Sequence, residues 1–310
     1  MGVENGSGKA GTGLWWLLVG LIVINAFWGA SGVAIKEAYL QLGTVEILAL
    51  RFAIATPLLI AATLLWKGRK AFAVELKDIP YFAALATIGV TLSFYLQVLS
   101  LDYTTATNFT LIFNLSTFFI IFLSAWLMGE KLTGNKIIGA LVAFAGLALI
   151  VTNGNFSLSP NFLGDGIALL GTLAWAVYTV LGKRANEKYS ALTVLNYVFI
   201  FGTLELIPMY LLSPHIPITE FTVLTWLSMG FLSICCSLIA FLVYNYGLEK
   251  LPASTIAVFI YVMPLSGVLL AAIVLGEALT VYTLAGAALI IFGMIFAEKR
   301  ATAKLEPDKQ

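Results

Sequence analysis

Two ionisable side chains, Arg51 and Glu205, stand in stretches that are otherwise apolar. Each lies about seven residues, or roughly 10 Å of helix, inside a run long enough to cross a membrane. An ionisable group at that depth is costly, so it faces a cavity or a partner. A guanidinium forks onto carboxylates, so Arg51 is a candidate for holding a substrate carboxylate. A carboxylate withdrawn from water can carry a proton, so Glu205 is a candidate for proton coupling. The two are expected to approach each other or to share a substrate. The competing reading is a structural ion pair, or an Arg51 side chain that snorkels to the headgroups.

Neutral polar and aromatic residues extend the list. Trp28, Trp175 and Tyr178 are candidate walls of a cavity, with Gln97, Asn114, Tyr244 and Tyr261 as candidate polar linings. Aromatic walls with a few polar anchors suit a small, partly apolar metabolite. Asn25, Ser31, Asn108, Asn196 and Asn245 are also intramembrane and polar. The alternative for each is an interhelical hydrogen bond worth about 0.6 kcal/mol. The sequence has no phosphate-binding glycine loop with lysine, no His-Glu-x-x-His and no serine elbow. Catalytic residues, metal ligands and cofactors are therefore not expected. Cys235 and Cys236 are adjacent, and helical neighbours point apart, so neither a disulfide framework nor a metal site follows. With Arg51 as the one deep cation, phosphorylated substrates rank low.

The elements that must position these residues are membrane helices. The chain of 310 residues is 60% hydrophobic and 11% charged, with a net charge of +1. Its mean hydropathy is +0.97. A soluble domain is far more polar, and a charge of +1 offers nucleic acid no basic groove. Ten segments of roughly 20 apolar residues stand near 14–35, 45–66, 80–99, 105–128, 134–152, 163–182, 192–212, 223–246, 252–275 and 281–297. Barrel strands would be half as long and would alternate. No cleavage site follows the first segment, so it is read as a spanning helix. Fifteen Lys and Arg residues fall on the side of the termini and two, Lys36 and Arg51, on the other. That asymmetry places both termini in the cytoplasm. His215 falls in the outer loop after the seventh segment.

The chain also repeats itself. At an offset of 147 residues, Trp28 meets Trp175, Lys36 meets Lys183 and Asp102 meets Glu249. Gly129-Glu130-Lys131-Leu132-Thr133 meets Gly276-Glu277-Ala278-Leu279-Thr280, and Gly139 and Gly146 meet Gly286 and Gly293. Asn114 and Tyr261 align near the middle of their helices. Each copy holds five helices, an odd number, so the second enters the membrane from the opposite face. The expected fold is all-α, an integral membrane protein of ten transmembrane helices in two inverted five-helix repeats. The repeats cover 14–152 and 163–297, with a linker at 153–162 and cytoplasmic tails at 1–13 and 298–310. Inverted repeats serve secondary transporters, whose halves rock about a midplane site. Thr133 and Thr280 are candidate N-caps of helices five and ten. Glu130 and Glu277 sit at helix junctions and read mainly as architecture, with gating as the alternative. The paired glycines permit close helix approach.

Several motifs carry a resemblance. They are Phe27-Trp28-Gly29-Ala30, Val33-Ala34-Ile35-Lys36, Leu50-Arg51-Phe52 and Tyr103-Thr104-Thr105-Ala106-Thr107 in the first half. In the second they are Leu248-Glu249-Lys250-Leu251-Pro252-Ala253-Ser254, Pro264 and Leu275-Gly276-Glu277. Together, over about 14–297, the chain resembles the EamA branch of the drug/metabolite transporter superfamily. That resemblance implies ten helices in two inverted repeats, a central cavity and export of amino acids or other small metabolites. Thr117 stands where the first repeat often carries the proline that Pro264 supplies in the second, which removes the basis for a kink in helix four. The expected activity is export of small metabolites by alternating access, in the cell membrane. The rivals are an exporter of drugs or organic cations, with Glu205, Trp175 and Tyr178 as its cage, and a non-transporting membrane scaffold. Expected partners are a small-molecule substrate and the lipid bilayer, with a homodimer left open and nucleic acid excluded.

Overall fold

A computed structural model describes residues 7–155, 161–214, 216–275 and 279–298. His215, Glu277 and the tail beyond residue 298 lie outside the described residues, and the expectations placed on them lie there too. Among the described residues all regular structure is helical. Nine helices are long and apolar enough to cross a membrane: α1 (Leu14–Ala38), α2 (Thr44–Trp66), α3 (Leu76–Ser100), α4 (Asn108–Met128), α5 (Gly134–Thr152), α6 (Phe162–Asn186), α7 (Ala191–Leu212), α8 (Val223–Lys250) and α9 (Ala253–Leu270). The tenth, α10 (Val281–Ala297), is apolar and shorter. These are the ten segments expected from hydropathy. Leu65, Trp126 and Ile273 are each more than three-quarters exposed on the outside of the bundle. An apolar exterior of that kind marks a multi-pass membrane protein.

Short polar side chains start the helices as their chemistry predicts. Thr133 accepts the Lys136 N–H ahead of α5, and Thr280 accepts the Thr283 N–H ahead of α10, so both expected caps are present. Gly129 ends α4 in the left-handed conformation, φ 66°, where a side chain would be strained. That turn carries Glu130 to the start of α9, where its carboxylate accepts the Ala253 N–H at 2.7 Å and the Ser254 N–H at 3.2 Å.

Four helices are irregular, in two matching pairs. α3 widens into a π-helical turn over Thr87–Leu92 and α8 over Phe231–Ile239, which overlap at the 147-residue offset. α4 breaks at Leu115, between Ala106–Asn114 and Ser116–Met128. α9 tightens to a 3₁₀ turn over Phe259–Tyr261. In α9 the cause is Pro264, which has no N–H to offer Ile260. In α4 the break arises without a proline, contrary to the sequence expectation. There the Asn114 side chain donates to the Thr110 carbonyl at 2.9 Å and competes with the helical bond.

The core is joined by residues 147 positions apart. Trp28 of α1 meets Trp175 of α6, Phe52 of α2 meets Phe199 of α7, and Phe94 of α3 meets Phe241 of α8, with ring centroids 5.8, 5.2 and 6.1 Å apart. The hydroxyls of Thr56 and Thr203 meet at 2.7 Å. α5 and α10 run antiparallel in close contact, Gly139 against Gly293 and Gly146 against Gly286. A Cβ on Gly139 would fall 2.5 Å from the Gly293 carbonyl oxygen, and one on Gly146 2.5 Å from that of Gly286. Glycine is required at these crossings because backbone touches backbone.

Candidate functional site

The centre of the bundle is an aromatic cluster built on the π-helical turn of α8. Such a turn shifts the hydrogen-bond ladder and frees carbonyl groups for side chains. The Cys236 carbonyl accepts the Trp28 indole N–H at 2.8 Å and an Arg51 Nη2–H at 3.0 Å. Arg51 Nε donates to Ser237 Oγ, whose own hydroxyl donates to the Leu232 carbonyl. The guanidinium lies over the Phe94 ring, 5.1 Å from its centroid, a cation–π contact. Arg51 is only 3% exposed, yet among the described residues no carboxylate pairs with it and its Nη1 has no hydrogen-bond partner.

Trp28, Trp175, Tyr178 and Tyr244 come together as packed rings. Trp28 meets Tyr244 at 5.5 Å, and Trp175 meets Tyr178 at 5.4 Å and Tyr244 at 5.5 Å. Phe241 packs against Trp28, Trp175 and Tyr178. The Tyr244 hydroxyl meets Thr179 Oγ1 at 2.8 Å, and the Tyr178 hydroxyl accepts from Asn245 at 3.3 Å. Among the described residues the buried Trp175 Nε1 has no hydrogen-bond partner.

The remaining candidates stand elsewhere. Glu205 does not pair with Arg51. Its carboxylate accepts the Thr87 hydroxyl at 2.8 Å and the Thr91 hydroxyl at 2.5 Å, both on the π-helical turn of α3. The reason is rotation at about 100° per residue. The α2–α7 contact runs through Phe52–Phe199 and Thr56–Thr203, so Arg51 turns toward α8 and Glu205 toward α3. The acid-and-aromatic cage expected from Glu205, Trp175 and Tyr178 is therefore not assembled. Gln97 donates to Ser93 at 2.7 Å on its own helix, and Asn114 to Thr110. Tyr261 belongs to a second apolar cluster with Ile121, Ala140, Leu147 and Ile290.

A cavity of about 390 Å³ opens at the start of α2 and the ends of α3 and α7, where Glu46, Tyr95, Leu99, Asp102, Ser213 and Pro214 are among its lining residues. None of the expected cavity residues lines it, because the central rings fill their own space. Sequence reasoning missed Phe52, Phe94, Phe199, Phe241 and the Thr56–Thr203 pair. The signal was present, since each is an identity at the same 147-residue offset. It missed Ser237 and the Cys236 carbonyl because a π-helical turn has no sequence signature.

Comparison with known proteins accounts for this architecture. The EamA-like transporter family matches residues 14–152 and again residues 162–298. The chain belongs to the EamA-like transporter family. An uncharacterized transporter of Archaeoglobus fulgidus is 34% identical to this EamA-like chain, over 90% of it and 95% of the relative. A second transporter from the same organism is 29% identical over 92% and 99%. A probable terminal-alkyne amino-acid exporter of Streptantibioticus cattleyicolor is 25% identical over 74% and 76%. A solved structure superposes with a TM-score of 0.78 at 22% identity, covering 94% of this chain and 98% of the other, a likeness of fold. This EamA-like protein is a transporter and not an enzyme.

Proposed function

We propose that the protein exports small metabolites, amino acids or related compounds, as a secondary transporter working by alternating access. In this reading residues 14–152 and 163–297 are two five-helix repeats of opposite orientation. They sit in the cell membrane, with both termini cytoplasmic. The observation that carries the reading is the set of contacts between equivalent residues, Trp28–Trp175, Phe52–Phe199, Phe94–Phe241 and Thr56–Thr203. A residue can touch its own equivalent only at an axis that exchanges the halves. The antiparallel glycine contacts support the same axis, because exchange turns Gly139–Gly293 into Gly286–Gly146. Rocking of two halves about such an axis is the mechanics of inverted-repeat transporters.

Arg51 supports a substrate with a carboxylate. A buried guanidinium with a free Nη1 and no acidic partner lacks a counter-charge, and an amino acid would bring one. Rotation of the central rings would open the space that the apolar part of the substrate occupies. The same cation argues against organic cations as cargo. The amino-acid exporter among the relatives points the same way.

The test is counterflow in proteoliposomes with labelled amino acids, amines and phosphorylated sugars side by side. Amino acids are expected to accumulate. Arg51→Gln is expected to lose accumulation, and Arg51→Lys to lose most of it because the fork is gone. Accumulation of amines and not of amino acids would overturn the carboxylate reading. No accumulation of any class, with reporter cysteines at positions 114 and 261 dry to water-soluble label, would favour a scaffold.

A further inference from the structure

The bundle has two faces. One carries the ends of α2 and α6 and the starts of α3 and α7; the other carries the ends of α1 and α7 and the starts of α2 and α8. On each face a residue from a loop reaches across to the start of a helix in the other half. On the first face, Lys188 Nζ lies 2.6 Å from Glu75 Oε1 and 2.6 Å from Asp78 Oδ2. Tyr189 adds a hydroxyl bond to Asp78 and accepts the Glu75 N–H at 3.1 Å. On the second face, Gln41 Oε1 accepts the Thr222 N–H at 2.8 Å and the Thr225 hydroxyl at 2.6 Å, and Gln41 Nε2 donates to the Glu220 carbonyl at 3.1 Å.

These are the same contact made twice. The 147-residue offset turns Gln41 into Lys188, Glu75 into Thr222 and Asp78 into Thr225. The geometry repeats while the chemistry does not: three charges and a phenol on one face, an amide and two threonines on the other. We propose that Gln41 and Lys188 are equivalent gate clasps, one per face, and that their unlike chemistry makes the Gln41 face the one that opens more readily.

The two copies of this joint differ in what must be broken to part them. When halves rock about a shared axis, opening a face separates the loop of one half from the helix start of the other. That motion breaks the clasp on that face and spares the opposite one. Breaking the Lys188 clasp parts opposite charges, whereas Gln41 and its threonines exchange one set of neutral hydrogen bonds for another with water. Exposed ion pairs are individually weak, so the bias is modest and salt-dependent. The cavity opens at the start of α2 and the ends of α3 and α7, on the Gln41 side. The proposal rests on the alternating-access reading above.

The test is a pair of spin-label distances in the full chain in lipid nanodiscs, with Cys235 and Cys236 replaced by alanine. Labels at Leu76→Cys and Glu187→Cys span the Lys188 clasp, and labels at Leu40→Cys and Ile218→Cys span the Gln41 clasp. Lys188→Gln is expected to raise the separated population across the first face about two- to fivefold, the range open to exposed ion pairs, and Lys188→Arg to restore it. Moving the charges, with Gln41→Lys, Thr222→Glu and Thr225→Asp, is expected to narrow the second distribution. Raising the salt concentration on the otherwise unaltered chain is expected to widen the first distribution and leave the second as it was, a check that needs no clasp variant to fold. An unchanged first distribution in Lys188→Gln, or equal salt responses on the two faces, would overturn the proposal. Counterflow in the same preparation separates the two readings. Distances that shift as expected in a protein that moves no substrate keep the clasps and sink the transport reading. Unshifted distances in a protein that does transport sink the clasps alone.

Discussion

Trp28 and Trp175 meet edge to face, ring centroids 5.8 Å apart at an angle of 89°, although 146 residues separate them in the chain. Phe52 and Phe199 repeat the arrangement at 5.2 Å and 84°. Thr56 and Thr203 lie one turn further along the same two helices, hydroxyl to hydroxyl at 2.7 Å, and Thr56 also reaches the Phe199 carbonyl at 3.3 Å. Because the two hydroxyls serve each other, their losses should not add. Thr56→Val and Thr203→Val are each expected to cost about 0.6 kcal/mol, the average for bonds between membrane helices, and at most about 1.7 kcal/mol. The double variant is expected to cost no more than Thr56→Val alone. Equilibrium unfolding in detergent measures all three, and strict additivity would show that the contact at the axis carries no coupling.

The α5–α10 crossing gives a sharper steric prediction. A Cβ on Gly146 would lie 2.5 Å from the Gly286 carbonyl oxygen, whereas one on Gly166 would meet nothing within 4 Å. Backbone cannot yield as a side chain can. Gly146→Val is expected to abolish folded protein or to lower its melting temperature by many degrees. Gly166→Val is expected to remain within about 1 kcal/mol of the parent, the helix-propensity range. Size-exclusion profiles and thermal melts in detergent compare the two. Equal losses would mean that the helices part easily and that the crossing is not a fixed contact.

Ten helices were legible because lipid imposes a length and a composition on each span, and the 147-residue repeat was legible because Gly-Glu-x-Leu-Thr occurs twice. The same offset pairs Trp28 with Trp175, two of the rings at the centre. What one sequence does not encode locally is rotation. Arg51 and Glu205 stand at similar depth on equivalent helices, yet helix packing turns one to Ser237 and the other to Thr87 and Thr91. The break at Leu115 was hidden for a related reason. A proline announces a break, whereas an asparagine that bonds its own helix backbone reads as an ordinary polar residue.

Glu205 remains the candidate proton carrier, now with known partners. Both carboxylate oxygens accept threonine hydroxyls on the π-helical turn of α3. Protonation would take one oxygen out of that role, so proton binding and the geometry of the turn are linked. Glu205→Gln keeps one acceptor and removes the exchangeable charge. It is expected to retain downhill counterflow and to lose accumulation driven by a pH gradient. Persistence of gradient-driven accumulation in this variant would sink the coupling role.

The Lys188 clasp has a defined pH window, and the signs follow from its two ends. Hydrogen bonds from Lys188 and then Lys77 hold the Glu75 carboxyl below its ordinary 4.5. A lowered carboxylate contributes stability above its unfolded value and loses it as pH falls through the folded one. Bonds to Asp78 and then Glu75 raise the Lys188 ammonium above its ordinary 10.5. A raised ammonium contributes below its unfolded value and loses it as pH rises through the folded one. Between roughly pH 5 and pH 10 both ends stay charged and the clasp is intact. The label distance across the Lys188 face is therefore expected to be flat over that window and to lengthen on acidification below the usual carboxylate range. The bonds of the Gln41 clasp are made by an amide, two threonines and the Glu220 backbone carbonyl, all neutral, so the distance across that face is expected to stay level through the same acid limb. A first-face distance that changes between pH 6 and pH 8 would show that some other group, and not the lysine with its two carboxylates, sets that closure.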